Sequence, residues 1–180
     1  MTCSATLAAE QQARGFAPLV DAKVRVLVLG SLPGRASLAA GHYYAHPQNQ
    51  FWRLMGAVLG QDLAALPYPE RVAHLLRARV GLWDSIGTAH RMGSLDSAIR
   101  QARATDLPGL VTRLPQLEVI AFNGQKAAQI GLRTLAGLSR PPRFIALPSS
   151  SPAHTRPFGQ KADIWRAALG PIVGADSSNI

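Results

Sequence analysis

The sequence predicts an α/β chain of three layers, α/β/α, in which a short four-stranded parallel sheet is covered by helices on both faces. Three observations carry this expectation. Four short runs rich in branched apolar residues, at 24–29, 80–83, 119–122 and 144–147, read as buried strands. Longer stretches of helical period alternate with them, and strands alternating with helices imply a parallel sheet. The chain has 180 residues, of which 47% are apolar and 16% charged, enough for one packed core and too few charges for disorder.

The expected helices cover 51–59, 69–79, 95–104, 125–135 and 161–169, with Ser94 an N-cap and Pro69 a first-turn proline. Residues 1 to about 20 and the polar tail 174–180 are expected to be loosely held around a single domain spanning 1–180. No internal repeat or low-complexity block interrupts the chain.

Composition narrows the function classes. Nineteen Lys and Arg against ten Asp and Glu leave a net charge of +9, which favours a polyanionic partner through counterion release, although it also aids solubility. The excess is uneven: 25–61 holds Arg25, Arg35 and Arg53 with no acid, and 133–166 holds six cations against Asp163 alone. The single cysteine, Cys3, excludes an internal disulfide, and no Cys/His cluster has zinc spacing, so neither metal nor cofactor is expected. With no signal-peptide pattern and no long apolar run, the expected location is the cytoplasm, without a membrane association.

In open α/β sheets ligands bind beyond the carboxyl ends of the strands. There the sequence places Gly30-Ser31-Leu32-Pro33-Gly34, Asp84-Ser85-Ile86-Gly87, Asn123-Gly124, and Pro148-Ser149-Ser150-Ser151-Pro152-Ala153-His154. The first loop continues through Tyr43, Tyr44, Asn49, Phe51 and Trp52. Its aromatic faces could cover a flat heterocycle and Asn49 could hold a water or an amide edge, or the tyrosines belong to the core and Asn49 caps the next helix. Gly30 would let a ligand approach the backbone. The serine loop, with His154, Arg156 and Lys161, suits phosphate oxygens; Lys161 otherwise sits on a solvated helix face. Asp84 could accept from the N–H edge of a base, or cap a helix or pair with Arg91. Asp96, in the first turn of an expected helix, is explained by the helix dipole and stays outside the site. Asn123 and Gly124 read as a helix entry in preference to a pocket wall.

Five segments together carry a resemblance: GSLPGRASL at 30–38, YYAHPQNQFW at 43–52, GLWDSIGTAHRMGSLDSAI at 81–99, FNGQKA at 122–127 and LPSSSPAH at 147–154. The chain resembles the uracil-DNA glycosylase superfamily, and within it the branch of hypoxanthine-DNA (deoxyinosine) glycosylases, over roughly residues 24–166. The resemblance implies a four-stranded parallel sheet with the active site at the strand ends. It implies two motifs at Gly30–Gly34 and Ser149–Ala153, with Gly30 and Pro33 against the base. Tyr44 would stack on a flipped base, Asp84 would contact its edge, and Asn49 and Ser31 would serve catalysis. Ser149, Ser150, Ser151, His154, Arg156 and Lys161 would hold DNA, with His154 a candidate to fill the gap in the duplex.

Two departures shape the expected mechanism. Fast uracil-specific relatives place an Asp in the first motif and a His before the Pro-Ser of the second, where this chain has Ser31 and Leu147. A monofunctional, slow hydrolase of the N-glycosidic bond is therefore expected, a monomer acting on double-stranded DNA with a deaminated base, ahead of an abasic-site endonuclease. Mismatch-specific uracil release, a non-catalytic nucleic-acid binder and a flavodoxin-like enzyme of phosphorylated metabolites are the competing readings.

Overall fold

A computed structural model describes residues 11–91 and 95–173. Its centre is a four-stranded parallel sheet of β2 (Val26–Gly30), β3 (Val80–Asp84), β6 (Val119–Asn123) and β7 (Arg143–Leu147), in the order β3-β2-β6-β7. β2 is fully buried along its length, and its side chains divide by strand periodicity between two cores. Val26 and Val28 join Val80, Leu82, Val119 and Ala121 on one face. Leu27 and Leu29 join Trp83, Ile120 and Phe122 on the other.

Helices cover each face, as expected. The first face packs against α2 (Phe51–Leu59), α3 (Tyr68–Arg77) and α6 (Phe158–Val173) through Phe51, Trp52, Leu54, Met55, Leu75 and Trp165. The second packs against α4 (Leu107–Thr112) and α5 (Gln125–Leu135) through Leu107, Leu110, Ala127 and Leu135. A short α1 (Arg35–Ala40) follows the first loop and ends on Gly41, whose φ of 67° suits a glycine at a helix end.

A second sheet departs from the expectation. β1 (Gln11–Arg14), β4 (Ile86–Arg91) and β5 (Ile99–Ala104) form an antiparallel ribbon in the order β1-β4-β5. The helix expected over 95–104 is replaced by a 3₁₀ turn at Asp96–Ala98 and by β5. Leu95, Ala98, Ile99 and Ala102 have helical spacing, but Leu95 is 57% exposed and only Ile99 of β5 is buried. The backbone of this segment pairs with β4, so tertiary pairing overrides a weak local pattern. β4 also begins at Ile86, which shortens the expected loop after β3 to Ser85.

The stretch from Gln11 to Leu19, expected to be loose, is tied down. β1 pairs with β4, Leu19 bridges Leu82, and Trp83 Nε1 donates to the Phe16 carbonyl at 2.9 Å. Ser94, the side chain of Arg91 as a partner of Asp84, and the tail 174–180 lie outside the described residues. Among the described residues, no helix is long and apolar enough to cross a membrane.

Candidate active site

The site is assembled by hydrogen bonds among the loops at the carboxyl ends of the parallel strands. Ser85 N donates to the Gly30 carbonyl at 2.8 Å and Ile86 N to the Ser31 carbonyl at 3.0 Å, which joins the loops after β2 and β3. Gly124 N donates to the Leu147 carbonyl at 3.1 Å, joining those after β6 and β7. Gln50 N donates to the Ser150 carbonyl at 2.9 Å, so the segment carrying Asn49 is docked on the serine loop.

Gly30 lies opposite Asp84 in the β2–β3 register. A Cβ on Gly30 would stand 2.7 Å from Asp84 Oδ1 and 3.0 Å from Tyr44 Oη, closer than van der Waals contact allows, so the missing side chain lets three groups converge. Asp84 is 3% exposed. Tyr44 has a φ of 56°, a left-handed conformation that costs a non-glycine residue on the order of 1–3 kcal/mol and recurs at functional sites. Its ring stacks on Phe51, centroids 3.9 Å apart at 16°. Ser37 Oγ, accepting from Ala45 N at 3.1 Å, helps hold the turn. Burial and then the Asp84 charge push the Tyr44 hydroxyl well above its ordinary value, the Asn123 amide opposing them.

The two tyrosines are sharply distinguished. Tyr43 is core: its N–H donates to Tyr68 Oη, its hydroxyl to the Ala17 carbonyl, and its own carbonyl accepts from Trp52 Nε1. Tyr44 is only partly buried, packed against the edge of the same core. Pro33 of the first motif is buried.

Asn49 lies one residue before Gln50, the N-cap of α2, and its Oδ1 accepts from Phe51 N at 3.0 Å, so it satisfies the first N–H of the helix from just outside the cap position weighed from the sequence. With the oxygen engaged, the amide group of Asn49 offers a ligand its Nδ2 hydrogens. Ser31 Oγ donates to Asp96 Oδ1 at 2.6 Å, a partner that sequence reasoning assigned to a helix dipole.

The serine loop is more internally bonded than its composition suggests. Ser151 N donates to Ser149 Oγ and Ala153 N to Ser151 Oγ, both at 3.2 Å. Ser150, expected among the phosphate donors, is 1% exposed. Its N–H donates to Asn123 Oδ1 and its Oγ accepts from Asn123 Nδ2, each at 2.8 Å. Asn123 thus fixes the loop as well as leading into α5; no local signal reveals this, because its partner lies 27 residues on. Gly124, with φ 101°, permits the approach of Ser149, whose Cβ lies 2.9 Å from where a side chain would begin.

Lys161, expected to hold phosphate or otherwise to sit on a solvated helix face, does not lie on such a face. It is fully buried, and its Nζ donates to the His154 carbonyl at 2.8 Å. Burial, and next the Arg156 charge, lower its pKa. It is a strut under the loop, whereas Arg156 is exposed. Of the cations in the acid-free stretch 25–61, Arg25 pairs with Glu118 at the opposite end of the sheet, Nε to Oε1 at 2.8 Å, and Arg53 lies 4.1 Å over the Phe158 ring. Tyr44 Oη, Gln50 Oε1 and His154 Nδ1, all in segments that meet here, are buried without a hydrogen bond of ordinary geometry among the described residues. Among the described residues no group of three His, Cys, Asp or Glu could hold a metal ion.

The strand ends thus gather an aromatic ring, a buried carboxylate and a loop of serines. The profile of the Uracil DNA glycosylase superfamily matches residues 17–169. The chain is 34% identical over 158 residues to the Hypoxanthine DNA glycosylase of Methanosarcina barkeri and 37% over 156 residues to that of Methanosarcina acetivorans, in each case covering 87% of this chain and 97% of the relative. It also superposes with a TM-score of 0.78 on a solution NMR structure from Methanosarcina acetivorans described as a candidate uracil DNA glycosylase, at 35% identity, covering 89% of this chain and 98% of that one. The chain belongs to the uracil DNA glycosylase superfamily: it is a DNA glycosylase, a hydrolase of the bond between base and sugar, and its substrate is DNA.

Proposed function

We propose that the chain releases deaminated bases from double-stranded DNA, hypoxanthine in preference to uracil, as a monofunctional glycosylase that begins base excision repair. The observation that carries this reading is the convergence of Tyr44 and Asp84 on the bare backbone of Gly30. A stacking face and a hydrogen-bond acceptor there suit a purine ring with an N–H edge, and the match to both hypoxanthine DNA glycosylase relatives covers 97% of their length.

The target base must first leave the duplex, at a cost of a few kcal/mol that is least for a mispaired base. Tyr44 then stacks on it, Asp84 accepts from its ring N–H, and Gly30 and Pro33 shape the floor. As the glycosidic bond breaks, the sugar becomes positive and the base carries away negative charge. Asn49, whose oxygen is occupied by Phe51 N–H, acts as a donor to that departing ring; an amide is no general base at neutral pH. Donors aimed at developing charge are worth roughly 3 kcal/mol each. Ser149 and Ser151 line the loop that meets the backbone, Arg156 supplies charge, and His154 fills the space the base leaves. Ser150 and Lys161 hold that loop in place.

The reading extends to a monomer in the cytoplasm whose abasic product is passed to an endonuclease. Incubation with labelled duplexes containing inosine, uracil or xanthine, followed by alkali and a denaturing gel, tests it. Strand breaks in the inosine lane support it, and intact strands in every lane would refute it.

A further inference from the structure

Ser31, the residue after Gly30 at the end of β2, is bonded to a carboxylate distant in sequence. Ser31 Oγ donates to Asp96 Oδ1 at 2.6 Å across 65 residues of sequence, in the short range of a charge-assisted hydrogen bond. We propose that Asp96 is a positioning residue for base release, which orients the Ser31 hydroxyl toward the attacking water and receives, through it, the proton that water gives up. This rests on the glycosylase reading of the same site.

The geometry supports the relay at each position. Ser31 follows Gly30, against which Asp84 and Tyr44 converge, and its carbonyl is fixed by Ile86 N. A hydroxyl that donates its hydrogen to Asp96 keeps its lone pairs for a hydrogen of water. Asp96 is held by the turn between β4 and β5, where Ala98 N closes on the Leu95 carbonyl and Ile99 anchors the end in a small core. Its charge also reaches the Tyr44 hydroxyl. The helix whose dipole would otherwise explain an acid here does not exist; a three-residue 3₁₀ turn stands in its place. Asp96 is exposed, so a proton received there can pass to solvent.

The step balances. The water oxygen bonds to the sugar carbon as the carbon–nitrogen bond breaks and its electron pair leaves with the base. The water proton passes to Ser31 Oγ while the Ser31 proton passes to the Asp96 carboxylate. The base anion is protonated from solvent, and Asp96 returns its proton there.

Single-turnover release from an inosine duplex by the full chain tests the relay, comparing wild type with Asp96→Asn, Ser31→Ala, their combination and Asp96→Glu. Each of the first two should slow release at saturating enzyme by at least roughly tenfold, since positioned proton transfer commonly contributes more than that. The combination should lose no more than the worse single variant, as expected for groups acting as one unit. The enzyme concentration giving half-maximal rate should stay unchanged, and Asp96→Glu should recover part of the rate. Wild-type release by Asp96→Asn, losses that multiply in the combination, or weaker binding at an unchanged saturating rate would overturn the relay. Should Asp96→Asn fold poorly, Ser31→Ala decides alone, and full activity there overturns the relay. A wild-type chain that releases no base from inosine, uracil or xanthine duplexes would instead overturn the glycosylase reading, and the relay with it.

Discussion

Asn123 Oδ1 accepts the N–H of Ser150 while Asn123 Nδ2 donates to the Ser150 hydroxyl, each at 2.8 Å, so one side chain at the end of β6 fixes the loop after β7. Asn123→Ala leaves a buried N–H without its partner, a loss of about 1–3 kcal/mol. In a chain of this length each kcal/mol shifts the thermal midpoint by roughly 2–4 °C. A calorimetric midpoint several degrees lower is expected, with base release reduced because the serine loop is no longer held. An unchanged midpoint would show that the loop is held without Asn123.

Asn49 is expected to serve both folding and chemistry, on different scales. Loss of its bond to Phe51 N removes a helix cap worth about 1 kcal/mol. Asn49→Ala should therefore lower the midpoint by only a few degrees, while single-turnover base release at a temperature where the fold is intact falls at least roughly tenfold, or about 1.4 kcal/mol. Full activity in the folded variant would leave Asn49 as a cap alone.

Arg156 and Lys161 should separate cleanly in a salt titration. Arg156 is exposed, whereas Lys161 is buried under the His154 carbonyl. Arg156→Ala should weaken binding to any duplex and lower the slope of log affinity against log salt by about 1. Lys161→Met should leave that slope unchanged. A reduced slope for Lys161→Met would mean that its ammonium reaches DNA after all.

Alkaline stability reports the buried phenols. Tyr43, Tyr44 and Tyr68 all ionise above their ordinary value of 10.0 in the folded chain, mainly because of burial. Their contribution is present in full below the unfolded value and is lost as pH rises beyond it, because only the unfolded state gives up the protons. Lys161, its pKa lowered from 10.5, acts in the opposite sense: its contribution is present above the unfolded value and lost as pH falls through the folded one. Three phenols against one ammonium predict a net decline. Tyr44→Phe, which removes a hydroxyl without a regular hydrogen bond, should leave stability at neutral pH nearly intact and make the decline shallower. Urea midpoints between about pH 9 and 11 measure this; a slope equal to wild type would contradict it.

The parallel sheet was legible because β2, β3 and β6 are short apolar runs buried on both faces, whereas β7, also expected to be buried, is an edge strand in which only Leu147 is buried. β5 was not, because Leu95, Ala98, Ile99 and Ala102 satisfy a helical spacing that says nothing of the β4 edge waiting to pair. The site divides along the same line. Gly30 and Asp84 are the last residues of β2 and β3, so their place at the strand ends follows from the sheet. The Asn123–Ser150 and Ser31–Asp96 contacts and the burial of Lys161 depend on residues 27, 65 and 7 positions away meeting in space. Residue type and local spacing do not encode those meetings.

Preference for hypoxanthine is the central claim, and relative single-turnover rates test it most directly. Matched duplexes holding inosine or uracil opposite the same partner base, with enzyme in excess, isolate the chemical step from product release. The pocket of Tyr44, Asp84 and Gly30 predicts inosine cleavage faster by at least roughly tenfold, or about 1.4 kcal/mol in the barrier. Uracil released faster by that margin would contradict the assignment.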